Sequence, residues 1–162
     1  MKKRFWVFLI LTLGVMGAIF YFSAQNATES SEMSMGFIRM FITGKLLEVM
    51  SYESVEMIQA GMETIVRKSA HFTIYMCLGF CYCMTLYFSG KMNKKSLLFI
   101  FSLLFCIFYA ITDEVHQLFV EGRSGEVRDV LIDSAGGVLG IGVALFVQKI
   151  WSKLVDKAKT KA

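Results

Sequence analysis

The segment TDEVHQLFVEGRSGEVRD, residues 112–129, gathers ionisable side chains into one short part of an apolar chain. It contains five acids, two arginines and one of the two histidines of the protein, whereas the fifteen residues before it, 97–111, carry no charge. Carboxylates and imidazoles transfer protons or bind metal ions, and guanidiniums bind phosphate or carboxylate groups. The segment therefore supplies groups for acid–base chemistry, metal binding and anion recognition.

Helical spacing relates these groups to polar residues elsewhere in the chain. Side chains three or four positions apart share one face of a helix. Three sets show this spacing: Asp113, His116 and Gln117, with Glu114 directed to the side; Asp129 and Asp133; and Arg67, His71, Tyr75 and Gly79. We therefore expect three helical faces that can line one polar site.

The elements that would position these faces are membrane-spanning helices. The chain of 162 residues is 56% hydrophobic and contains no proline, which predicts an all-α fold made of long helices. A helix of about 20 apolar residues crosses a bilayer. Four spans are predicted, at about 5–22, 70–89, 97–117 and 129–148, with an amphipathic outer helix at about 54–66 that turns into the second span.

Small residues in the last span predict how it packs. Gly136, Gly140 and Ala144 recur at intervals of four, and such a seam lets two helix backbones approach closely. The four cysteines lie within the spans and show no metal-ligand spacing, so free thiols are expected.

Basic residues indicate the orientation of the spans. If the spans alternate, eleven of the seventeen lysines and arginines fall on one side together with both termini, and this side is cytoplasmic by the positive-inside rule. We therefore expect a multi-pass protein of the bacterial cytoplasmic membrane, whose basic residues anchor topology and do not bind nucleic acid. One domain covers 1–162, with a variable outer segment at 27–60 and a basic tail at 149–162.

Depth in the membrane favours a functional role for the polar residues. Counted outward from the cytoplasmic boundaries, Asp113, Glu114, His116 and Asp133 lie at or below the outer membrane edge. Each ionisable group there costs on the order of 2.5 to 3.5 kcal/mol, so such groups usually face protein or water. A structural role is the alternative, in which Asp129 caps a helix and Asp133 pairs with a neighbouring arginine.

Three motifs resemble the VanZ-like family of small bacterial membrane proteins. They are FSAQN at 22–26, RKSAHFTIYMCLGF at 67–80 and ITDEVHQLFVEGRSGEVRDVLIDSAGGVLG at 111–140. The matching polar positions are Ser23, Gln25, Arg67, Lys68, His71, Tyr75, Asp113, Glu114, His116, Gln117, Arg123, Asp129 and Asp133. Ile74 departs from the family, in which an acid is common at this place. The resemblance implies a link to decreased sensitivity to teicoplanin, a lipid-tailed glycopeptide, and no defined enzymatic activity.

The sequence supports two candidate functions. The first is binding or modification of an outer-leaflet amphiphile, such as a lipid-linked wall precursor or a lipoglycopeptide, by Arg67, Lys68 and Arg123, with membrane lipids as partners. The second is an intramembrane hydrolase or transferase acting on a phosphate- or sugar-bearing lipid. Its catalytic candidates are His71, His116, Asp113 and Asp133. No cofactor is predicted, and a divalent metal held by the histidines and aspartates is the alternative. A transporter is disfavoured because no charge lies near the middle of a span.

Overall fold

The computed structural model describes residues 2–41, 52–92 and 94–160, and the described residues form five α-helices without a strand. The helices are α1 (Lys2–Ser23), α2 (Ala27–Phe41), α3 (Tyr52–Ser89), α4 (Lys95–Gln117) and α5 (Val127–Thr160). Four stretches are long and apolar enough to cross a membrane: Lys2–Ser23, Gly61–Ser89, Lys95–Gln117 and Val127–Lys153. The predicted all-α fold, with four helices long and apolar enough to span a membrane, is therefore confirmed.

One element differs from the prediction. The amphipathic helix expected at 54–66 is not a separate outer helix, because α3 continues without a break from Tyr52 to Ser89. The expected turn near Arg67 was wrong since no proline or glycine pair interrupts the chain there, and the change from amphipathic to apolar pattern does not by itself end a helix. Of the predicted variable segment 27–60, residues 42–51 lie outside the described part.

The helix ends follow local sequence signals. Asn26 caps α2, because its side-chain oxygen accepts the Glu29 N–H at 2.9 Å while the Glu29 carboxylate accepts the Asn26 N–H at 3.2 Å. The α4–α5 turn contains Gly122 at a φ of 72°, a conformation that glycine adopts without strain. Gly125 serves another purpose: a Cβ there would lie 2.8 Å from the Glu114 carbonyl oxygen.

Close packing of α3 on α5 confirms the predicted glycine seam. A Cβ on Gly136 would lie 2.2 Å from the Phe72 carbonyl oxygen, and one on Gly140 would lie 1.9 Å from that of Met76. Both glycines therefore allow the α3 backbone to touch α5 directly. The helix α3 also contacts α1, α2 and α4, so it is the central element of the bundle.

Polar contacts between helices and an apolar core hold the remaining helices together. Tyr75, Cys106 and Ile141 are fully buried in the core. The Thr12 and Thr85 hydroxyls lie 3.1 Å apart, and the Tyr109 hydroxyl donates to the Met16 carbonyl at 2.8 Å. All four cysteines are free thiols, as expected. Large apolar side chains on the outside of the bundle remain exposed, which is the surface expected to face lipid.

Candidate functional site

Three helices bring one histidine and two aspartates together. His71 lies on α3, Asp113 on α4 and Asp133 on α5, and one potential ligand atom of each lies within 4.8 Å of the other two. His71 Nδ1 is 3.7 Å from Asp133 Oδ2. Asp113 is 5% exposed and Asp133 is fully buried. We call these three residues the acidic cluster.

Polar atoms in and around the acidic cluster lack hydrogen-bond partners within the described part of the chain. They include His71 Nδ1, Asp113 Oδ2 and both carboxylate oxygens of Asp133. The fully buried Tyr75 hydroxyl is also unpartnered, and Ser23 lies beside Asp113. Because buried polar atoms nearly always find a partner, so many unpaired atoms in one place indicate a group that the protein itself does not supply.

Lys68 and its acidic partners lie beside the cluster. The Lys68 ammonium donates to the Asp129 carboxylate and lies 3.6 Å from Glu126 Oε2. Asp129 lies in the first turn of α5, where the helix N-terminus also favours a negative charge. Lys68 and Asp129, both predicted as binding residues, are thus paired with each other across α3 and α5.

Arg123 connects the α4–α5 turn to α2 and α4. Its Nη1 donates to Ser30 Oγ at 2.8 Å, and its Nη2 donates to Gln117 Oε1 at 3.3 Å. The Gln117 amide donates in turn to Glu114 Oε1 at 3.4 Å, and Glu114 Oε2 accepts the Glu126 N–H at 2.8 Å. Glu114 is buried and its contacts fix the turn, although its helical position predicted a side chain directed to the side of the face that carries Gln117.

An apolar groove opens beside these polar groups. Its volume is about 760 Å³, and its lining includes Arg67, His71 and Arg123, which also line one small neighbouring cavity together and which we call the polar end of the groove. The groove continues along α3 past Ile74 to Cys77, ten residues or about 15 Å from Arg67. The rest of the lining is mainly apolar and comes from α1, α2 and α3: Ile19, Phe22, Ser30, Met33, Ser34, Ile65, Val66, Ser69, Ala70 and Thr73.

Electrostatics at the polar end of the groove favour an anion. Burial and the nearby Arg67 guanidinium lower the pKa of Arg123. Among the described side chains no acid lies within ion-pair distance of Arg67. Two guanidiniums that repel each other at the mouth of an apolar groove would both gain from a phosphate or carboxylate placed between them.

Two predicted residues are not part of the acidic cluster. His116 stacks its ring on Phe20 of α1 with a centroid distance of 4.7 Å. Gln25 lines a separate cavity of about 610 Å³ with Glu29 and Glu32. Of the two histidines, His71 is therefore the one that the fold combines with Asp113 and Asp133.

The contribution of α2 was missed in the sequence. Ser30 and Ser34 line the groove from this helix, and Ser30 also accepts a hydrogen bond from Arg123. Together with the buried Ile38 they recur at intervals of four, on the face of α2 that packs toward α3. This spacing is a signal in the sequence for a buried helical face within the segment that is expected to be variable.

Comparisons with known proteins give one match. The model of a family described as VanZ/LLP1 matches residues 8–148, which cover most of the four spans and all residues of the acidic cluster and of the groove lining. A search of curated proteins and a search of solved structures each found no significant match.

Proposed function

This chain belongs to the VanZ/LLP1 family, and from that premise we propose that its groove binds an amphiphile with an anionic headgroup in the outer leaflet of the membrane. One observation carries the proposal: Arg67 and Arg123 line the polar end of an apolar groove of about 760 Å³. A volume of this size is typical of small-molecule sites, which combine apolar walls with a few polar groups.

The headgroup would occupy the polar end. A phosphate or carboxylate there can accept charge-assisted hydrogen bonds from Arg67, which has no described acidic partner, and from Arg123. Lys68 would contribute little to binding of the headgroup, because its charge is paired with Asp129 and lies 3.6 Å from Glu126 Oε2. The apolar tail would extend along α3 past Ile74 and Cys77, and the apolar residue at position 74 suits this path better than an acid would.

The proposed orientation places the groove at the outer leaflet, with both termini in the cytoplasm of a bacterial cell. It predicts that a cysteine at Ser124, in the α4–α5 turn, reacts with a membrane-impermeant maleimide added to intact cells. A cysteine at Ser152 is the matched control and should react after the cells are opened. Both variants are made in a chain whose four native cysteines are replaced. Labelling of position 152 but not 124 in intact cells would refute the orientation.

In cells, the proposal predicts reduced sensitivity to lipid-tailed glycopeptides such as teicoplanin. Expression of the protein should raise the teicoplanin concentration needed to stop growth, but not that of a close analogue without the tail, because the tail is what the groove accommodates. Arg67→Gln should abolish the difference while protein level stays normal. Equal effects on the two compounds would show that the tail is not recognised and would contradict this part of the proposal.

A second candidate function is an intramembrane hydrolase or transferase acting on a phosphate- or sugar-bearing lipid. The observation that favours it is the position of His71, which lines the groove and also lies 3.7 Å from Asp133. In such a reaction His71 would take the proton of an attacking hydroxyl and return it to the oxygen that leaves the phosphorus or sugar carbon. Release of headgroup from a labelled lipid by the purified protein, lost in His71→Gln, would support catalysis over binding.

A further inference from the structure

We propose that His71, Asp113 and Asp133 bind a divalent transition-metal ion beside the polar end of the groove. The three residues come from α3, α4 and α5 and point potential ligand atoms into one space, all within 4.8 Å of one another. The inference goes beyond amphiphile binding, because it assigns a ligand to side chains other than the groove arginines.

Burial without partners is the second observation that supports the site. Asp133 is fully buried with neither carboxylate oxygen hydrogen-bonded to a described residue, and Asp113 is 5% exposed with one oxygen unpaired. A buried carboxylate is strongly unfavourable unless it is paired or coordinates a metal, and the 3.7 Å from Asp133 Oδ2 to His71 Nδ1 allows an ion pair but no hydrogen bond. His71 Nδ1, which has no hydrogen bond to a described residue, offers the third donor.

The distances suit a metal after a small contraction. Bonds of 2.0 to 2.2 Å from a central ion place adjacent ligand atoms about 3 Å apart and opposite ones about 4.3 Å apart. The present separations are at most 4.8 Å, and that from His71 Nδ1 to Asp133 Oδ2 is 3.7 Å. Shifts of up to about 1 Å at the side-chain tips would bring the three ligand atoms to bonding distance from one ion.

The charge balance also calls for a cation. Two carboxylates and one imidazole leave a net negative charge even when the imidazole is protonated. The neighbouring Lys68 is paired with Asp129, and Arg123 donates to Ser30 and Gln117. A divalent ion supplies the missing positive charge, and it would strengthen the attraction of an anionic headgroup in the adjacent groove.

The donor set selects the class of metal. One imidazole nitrogen with two carboxylate oxygens suits Mn²⁺, Fe²⁺ or Zn²⁺, whereas Ca²⁺ and Mg²⁺ prefer oxygen ligands alone. Mn²⁺ is the best probe because its electron paramagnetic resonance reports both the amount bound and coupling to a coordinating nitrogen.

The experiment titrates Mn²⁺ into the purified full-length protein in detergent, after a chelator has removed bound metal and without added lipid. We expect one ion per chain, a nitrogen coupling that disappears in His71→Gln, and an affinity at least tenfold weaker in Asp133→Asn. Asp113→Asn should also weaken binding. Glu121→Gln, which removes an exposed acid from the α4–α5 turn, is the matched control and should bind as the wild type does.

Melting curves show whether a variant that binds Mn²⁺ weakly is still folded. Mn²⁺ should raise the Tm of the wild type but not that of Asp133→Asn, each compared with the same protein without metal. If Asp133→Asn does not fold, the metal site is tested by the Mn²⁺ affinity of Asp113→Asn and by the loss of nitrogen coupling in His71→Gln. Absence of Mn²⁺ binding to the wild type, or unchanged affinity in the folded aspartate variants, would overturn the metal site and leave amphiphile binding untouched.

Discussion

Gly140→Ala is expected to lower the free energy of unfolding by at least about 3 kcal/mol, the upper part of the range for overpacked cores. The added methyl would lie 1.9 Å from the Met76 carbonyl oxygen and 3.0 Å from the Phe80 amide nitrogen. Both obstacles are backbone atoms of α3, so no change of rotamer relieves the clash. The helices must separate, and separation would also move Asp133 away from His71.

The matched control is Gly142→Ala, two residues further along the same helix. A Cβ at Gly142 meets nothing within 4 Å, and alanine has the higher helix propensity, so this variant should be as stable as the wild type or slightly more stable. Thermal or denaturant unfolding of the two purified variants in detergent measures the difference. Equal stability of the two variants would show that α3 and α5 do not pack through the glycine seam.

Arg67→Gln is expected to weaken binding of an anionic amphiphile by about tenfold to a hundredfold. Hydrogen bonds to charged groups contribute about 1.5 to 3 kcal/mol, and each 1.4 kcal/mol is a factor of about ten in Kd. Arg67 lines the polar end of the groove and, unlike Lys68, has no described acidic partner to which its charge is already committed. Its removal should therefore affect the ligand more than the fold.

The control for charge alone is Arg128→Gln. Arg128 is exposed near the start of α5 and does not line the groove, so its loss lowers the net charge equally without removing a contact. Titration of an anionic lipid such as phosphatidylglycerol into purified protein, followed by native mass spectrometry, compares the two variants. Equal weakening by Arg67→Gln and Arg128→Gln would mean that binding reports general charge attraction and not a site.

Much of the fold followed from hydropathy, because the bilayer imposes a length and an apolar composition on each span. The extent of α3 did not follow, since its N-terminal half changes from an amphipathic to an apolar pattern without any residue that breaks a helix. The position of α2 depends on contacts that are distant in sequence, such as the hydrogen bond from Arg123 to Ser30. The interval of four between Ser30, Ser34 and Ile38 indicates one face of α2, but it does not show which element that face contacts.

For the site, the sequence predicts only which residues share one face of a helix. Spacing placed His71 with Tyr75 on one face, and it placed Asp113 and His116 together on another. It did not show which histidine would meet the acids, because this depends on how far each helix is rotated toward its neighbours. The glycine seam sets that rotation for α3 and α5 and brings His71 to Asp133, while His116 turns toward Phe20 of α1.

Photo-crosslinking shows directly whether the groove holds the tail of an anionic amphiphile. The protein is reconstituted with phosphatidylglycerol that carries a diazirine in its acyl chain, and the labelled residues are identified by mass spectrometry after illumination. We expect adducts to be concentrated at Ile74 and Cys77 in the groove, and we expect this concentration to be lost in Arg67→Gln. Adducts spread equally over the exposed Leu104, Phe108 and Phe146, with no excess in the groove, would contradict it.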